Sequence, residues 1–113
     1  MLSKSSTEDD ALIVFCTAPD AEVATLLARG VLERKLAACV NVIPGLRSLY
    51  WWQGELQDDS EVQLLIKTHR ARFSEIEAFI KDNHPYEVPE LIAVSIVAGS
   101  EPYLRWLRQQ AVG

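Results

Sequence analysis

Residues 37–52 read AACVNVIPGLRSLYWW. Val40, Val42, Ile43, Leu49 and the Tyr50-Trp51-Trp52 cluster are the β-branched and aromatic residues that suit a pleated, half-buried surface. The run predicts one long strand, well beyond the usual ~5–6 residues. Pro44-Gly45 interrupts ladder hydrogen bonding inside it, so a bulge or kink belongs there. Gln53-Gly54-Glu55 is a turn, and Ser60–Thr68 returns as a strand with Val62, Leu64 and Ile66 on one face. The resulting hairpin is too long for its own core. Its far half must project with unpaired edge groups, which invite pairing with another chain.

Working outward, Leu12-Ile-Val-Phe-Cys16 is apolar on both alternating faces and reads as a strand buried on both sides. Thr17-Ala-Pro-Asp20 ends it and opens a helix over 21–35, where Val23, Leu27 and Val31 make an apolar stripe and Asp20 caps the first amides. Downstream, Phe73, Ile76, Phe79 and Ile80 predict a second helix over 70–83, ended by His84-Pro85. Leu91–Ala98 is a fourth strand, also apolar on both faces. Ser100-Glu-Pro-Tyr103 starts a C-terminal helix with Leu104 and Leu107 inward. Residues 1–10 are polar and aperiodic, which predicts a frayed tail before one domain over 11–113.

The order βαββαβ plus a helix predicts an α+β, ferredoxin-like sandwich. Strand one lies between strands three and four, antiparallel to both, with the two main helices on one face. The other face would then present a larger apolar patch than soluble monomers tolerate, so copies of the same chain are expected to cover it. The aromatic cluster at the hairpin tip suits an interface centre, or closes the hairpin over its own helix.

The chain has 113 residues, of which 49% are hydrophobic and 24% charged, the balance of one globular domain. A formal charge of −5 repels phosphate backbones, so nucleic acid is not an expected partner. No apolar run approaches the ~20 residues of a membrane span, and the N-terminus lacks a secretory h-region, so a cytoplasmic protein is expected. Cys16 and Cys39 are expected to be free thiols in that reducing compartment.

The chemistry-bearing residues gather at one end of the expected sheet. Strand one ends where strand four begins, bringing Cys16 to the loop His84-Pro-Tyr-Glu-Val-Pro-Glu90. Thiolate, imidazole and carboxylate together favour copper or zinc, so Cys16, His84 and Glu90 are the candidate metal ligands. Each also has a bland reading: a small buried hydrophobe, a helix-end ring on a carbonyl, a solvated loop acid. Cys39 is expected in the core and His69 as a solvated helix-end group. A Cys16–His84 nucleophile pair lacks an orienting third residue and an oxyanion motif, so no enzyme is expected.

Several motifs stand in register: Cys16-Thr-Ala-Pro-Asp20, Leu36-Ala-Ala-Cys-Val-Asn-Val-Ile-Pro-Gly45, Ser48-Leu-Tyr-Trp-Trp-Gln-Gly-Glu55, Glu61-Val-Gln-Leu-Leu-Ile-Lys-Thr68 and His84-Pro-Tyr-Glu-Val-Pro-Glu90. Over about residues 11 to 110 the chain resembles the CutA divalent-cation tolerance family. The resemblance implies a homotrimer of PII-like form, built by pairing long hairpin strands between subunits. It implies a link to tolerance of copper and other divalent cations, with Cys16 and His84 as ligands. Some relatives carry a second histidine where this chain has Asn83, a poorer ligand. The alternative function is a PII-like signalling trimer that binds a small molecule in the clefts between subunits, with Trp52 or Tyr86 stacking on it.

Overall fold

The computed structural model describes residues 10–111. Its elements are β1 (Ala11–Ala18), α1 (Ala21–Glu33), β2 (Cys39–Trp52), β3 (Glu55–His69), α2 (Phe73–Asn83, entered through a short 3-10 turn at Arg70–Arg72), β4 (Ile92–Ser95) and α3 (Glu101–Gln110). The sheet order is β2-β3-β1-β4, and β1 pairs antiparallel with both β3 and β4, as the ferredoxin-like reading requires. The expected tail over residues 1–10 lies outside the described residues except for Asp10, whose carbonyl accepts from the Arg70 amide at 2.9 Å. Among the described residues no helix is long and apolar enough to cross a membrane.

Local chemistry sets the helix ends. The Asp20 carboxylate accepts the Val23 amide at 2.8 Å and caps α1. At the other end Lys35 takes φ 60, and the amides of Lys35 and Leu36 return to the carbonyls of Leu32 and Val31 at 3.0 and 2.9 Å. This is a Schellman motif, with Leu36 folded back over Val31 and a lysine where glycine is usual. It stops α1 at Glu33 rather than at Lys35.

The core lies between one sheet face and the pair α1 and α2. Val14, Cys16, Leu64 and Ile66 from the strands meet Leu27, Val31, Ile76 and Ile80 from the helices, all fully buried. Gly30 lets α1 approach the Phe79 ring of α2, and a β-carbon there would lie 2.1 Å from Phe79 Cζ.

The second face is only partly covered. α3 lies on it at one end, where the Lys67 ammonium sits 5.9 Å from the Tyr103 ring centre and His69 Nε2 lies 2.6 Å from the Ala111 carbonyl oxygen. Strand β1 is therefore not buried on both sides: Leu12, Val14, Cys16 and Ala18 are buried, while Ile13 and Phe15 are half-buried. His69 is half-buried and bonded rather than solvated. Cys39 is half-buried rather than core, because β2 is an edge strand. Both cysteines are free.

The fourth strand stops at Ser95 rather than Ala98. Its one neighbour β1 begins at Ala11, and the Ile96 amide makes the last bond to the Ala11 carbonyl at 2.9 Å. Beyond it Val97 is 95% exposed. Conversely, β3 starts at Glu55 rather than Ser60, since the hairpin pairs down to Trp52 and Glu55. Gln53 and Gly54 close it with φ 50 and 80, a two-residue turn whose twist matches the strands.

Candidate functional site

The Pro44-Gly45 bulge builds the site. Ile43 pairs with Gln63, but Leu46 pairs with Glu61, so β2 spends one more residue than β3 between those pairs. Side chains alternate along a strand, and one extra residue therefore exchanges the faces of everything beyond it. Ser48, Tyr50 and Trp52 consequently share the face of Asp59 and Glu61, away from α1 and α2. The loop between α2 and β4 then folds over this face.

Together these elements enclose a cleft of about 790 Å³. Its walls include the rings of Tyr50, Trp52 and Tyr86 and the carboxylates of Glu61, Glu87 and Glu90. Glu61 is buried, only 7% exposed, and one of its oxygens, Oε2, accepts the Tyr86 hydroxyl at 2.7 Å. The Tyr50 hydroxyl donates to Asp59 in the same way. Burial first and the Glu61 bond second hold the Tyr86 hydroxyl protonated well above its ordinary range, while the Asp59 bond raises Tyr50 to about 12. Arg47 also lines the cleft, but its guanidinium forks onto Asp58 at 2.9 and 2.7 Å.

The three sequence-predicted ligands are placed differently. Glu90 lines the cleft, and its carboxyl is raised above the usual carboxylate range by loss of water and then by the charge of Glu61. Cys16 points to the opposite face, into the core, and its thiol is raised to about 12 by burial, then by the charges of Glu90 and Glu61. Its Sγ lies 3.7 Å from the Thr17 carbonyl oxygen. His84 is buried with both ring nitrogens engaged. Nδ1 accepts the Tyr86 amide at 3.1 Å, so Nε2 carries the proton and donates to the same Thr17 carbonyl at 2.7 Å. Thiol and imidazole thus meet at one backbone oxygen rather than at each other, and no nucleophile–base pair forms.

Among the described residues no three His, Cys, Asp or Glu side chains form a group able to hold a metal ion. Ligation by Cys16, His84 and Glu90 together would need the thiol and Nε2 to leave Thr17 and the loop to turn. Glu61 and Thr17 escaped the sequence reading as site residues. The signal for Glu61 was an acid directly before the Val62, Leu64 and Ile66 stripe of β3, opposite a bulge whose size only the register reveals.

A ferredoxin-like α+β chain with a hairpin arm and a cleft at the mouth of its α2–β4 loop defines a PII-like fold. Solved structures of similar shape carry the same architecture. CutA1 of Thermus thermophilus matches with a TM-score of 0.88 at 44% identity, over 90% of this chain and 99% of that one. CutA1 of Oryza sativa matches with a TM-score of 0.89 at 41% identity, over 95% and 98% of the two chains. In sequence, the divalent-cation tolerance protein CutA of Pectobacterium atrosepticum is 46% identical over 98 residues, 87% of this chain and 89% of that protein. The family model described as CutA1 divalent ion tolerance protein matches residues 12–110, and the chain belongs to that family.

Proposed function

We propose that the protein acts in divalent-cation tolerance as a homotrimer that binds copper or another divalent cation at the end of β1, through Cys16, His84 and Glu90. The observation that carries this reading is the Thr17 carbonyl oxygen, which holds a thiol and an imidazole around one point under the negative charge of Glu90 and Glu61. Only the thiolate is a strong soft-metal ligand. A cation must therefore displace the proton of a thiol raised to about 12, and uptake releases protons and strengthens with pH. No catalytic role is assigned.

Trimerisation is supported by what one chain leaves bare. Val42, Ile43, Leu49, Trp51 and Leu56 on the arm are exposed, as are Ile92 and Val94 on edge strand β4. Symmetric copies bury such surfaces and satisfy the strand edges together. Two unpaired thiols suit a reducing compartment, and the cytoplasm is the location proposed.

Native mass measurement with and without copper, on the wild type and on Cys16→Ser, His84→Ala and Glu90→Gln, tests both parts. A trimer that loses bound copper in the first two variants is expected. Unchanged affinity in all three variants removes the site, and a stable monomer at micromolar concentration removes the assembly.

A further inference from the structure

Tyr86 holds His84 and is itself held by the sheet. Its amide donates to His84 Nδ1 at 3.1 Å, and its ring lies 4.6 Å from the imidazole centre, tilted by 49°. Its hydroxyl reaches across to Glu61 Oε2 at 2.7 Å. Among the described residues these are the only hydrogen bonds made by residues 85–90, so the loop beyond His84 is tied to the sheet at one point. The tie ends on a firm anchor. Glu61 stands in β3 opposite Leu46 and next to Val62, which pairs with Ala18 at the end of β1. Both partners belong to one chain, so the bond does not depend on which faces neighbouring copies cover.

The consequence falls on His84. A neutral imidazole has one nitrogen lone pair in the ring plane, at Nδ1 here, and the Tyr86 amide occupies it. Nε2 carries the proton and is spent on the Thr17 carbonyl at 2.7 Å. In this arrangement neither ring nitrogen is free for a metal ion, and ligation requires the ring to leave one of the two partners. It stays on both while Tyr86 is anchored to Glu61. When a site exchanges between a closed and an open form, its apparent affinity is reduced by the fraction that is open.

We infer that the Glu61–Tyr86 hydrogen bond is a latch that keeps His84 closed to metal ions, and that its opening frees the imidazole for a cation. The inference rests on the metal reading above, in which His84 is a ligand, and gives that site a means of regulation. Tyr86 and Glu61 are positioning residues in it, acting through His84 rather than as ligands.

NMR of the metal-free protein in its native assembly reads the latch through the exchange of the His84 Nε2 proton with water. Tyr86→Phe removes the hydroxyl and keeps every charge. It should speed that exchange by roughly tenfold or more, the effect of losing one hydrogen bond to a charged group. The backbone amides of the core residues Val14 and Leu64 should keep wild-type protection, which separates local from global opening. Glu61→Ala removes the acceptor and should speed the exchange as well, whereas Glu61→Gln keeps an acceptor oxygen for Tyr86 and should leave it slow. In a copper titration Tyr86→Phe should bind more tightly than the wild type by the same factor, because both measurements count the open fraction. General damage to the fold would not produce such a gain, and Glu61→Gln should show none. Wild-type exchange of the Nε2 proton in both Tyr86→Phe and Glu61→Ala overturns the latch. So does faster exchange in Tyr86→Phe with copper affinity unchanged or weaker. Absence of copper binding by every protein removes the metal reading, and the latch on His84 is then upheld or overturned by the exchange rates alone.

Discussion

Replacing Gly30 with alanine sets two opposed effects against each other on one residue. In an exposed helix the change would stabilise by about 1 kcal/mol, because glycine loses more backbone freedom on folding. Here the added methyl would lie 2.1 Å from Phe79 Cζ, 2.7 Å from Cε2 and 3.0 Å from Cε1. Carbon atoms settle at about 3.5–4 Å, so the ring must retreat by more than an ångström. The ring is half-buried beneath the Arg34 guanidinium, 4.5 Å from its centre, so a retreat gives up that contact as well as the packing on α1. Overpacking costs roughly 1–3 kcal/mol, and an approach of 2.1 Å puts this case at about 2–3 kcal/mol, which outweighs the helix gain and leaves Gly30→Ala less stable by about 1–2 kcal/mol. The disturbance also reaches the site. Phe79 adjoins Ile80, whose carbonyl accepts the His84 amide at 2.8 Å, so a displaced α2 carries the loop with it. Urea unfolding at fixed protein concentration measures the effect, and Gly30→Ala/Phe79→Leu should recover part of the loss because the smaller side chain vacates the contact. A Gly30→Ala protein as stable as the wild type, or more stable, would refute the close meshing of α1 and α2.

Two further outcomes are expected. Lys35→Gly should raise stability by about 1 kcal/mol in the same urea assay, because Lys35 holds φ 60 at the end of α1 and only glycine does so without cost; a loss of stability would mean the lysine side chain contributes more than its backbone strain. Cys16 should appear in the alkaline limb of the stability curve. Its folded thiol titrates at about 12 against an ordinary 9.0, so above pH ~9 the unfolded chain releases a proton that the folded chain keeps. Stability contributed by this group is full below that pH and falls by about 1.4 kcal/mol per pH unit as the pH rises toward the folded value. Cys16→Ser should lack this slope, while the Tyr50 and Tyr86 contributions are common to both proteins and cancel. Parallel curves for the two proteins between pH ~8 and ~11 would contradict the buried, protonated thiol.

Much of the architecture was legible because local chemistry and the fold agree. Asp20 caps the helix that its position announced, Pro44-Gly45 produces the bulge, and the two-residue turn at Gln53-Gly54 closes the arm. Both helical stripes bury the residues their spacing selected, among them Leu27, Val31, Ile76 and Ile80. The strand limits were less legible. Val97 and Ala98 are as apolar as Ile92, and only the start of β1 at Ala11 determines where pairing ends.

The site was legible as a neighbourhood and not as a set of contacts. Topology alone brings Cys16 to the loop that begins at His84. Which face each side chain takes is another matter, because it follows from strand parity counted from a bulge of known size. For that reason Ser48, Tyr50 and Trp52 join Glu61 on the cleft face, whereas Cys16 takes the core face by plain alternation with Val14 in unbroken register with Leu64. The tautomer of His84 depends on an amide two residues away and a carbonyl 67 residues away along the chain. No periodicity encodes such a partner.

Apolar spacing, caps and turn residues thus determined on their own which segments are helix or strand and in what order they pack, since each acts over a few neighbouring residues. Only the folded chain decided that a carboxylate and three rings share one cleft while a thiol faces away from it. Those positions are set by register across strands, and register is a property of pairs of segments that no single segment carries.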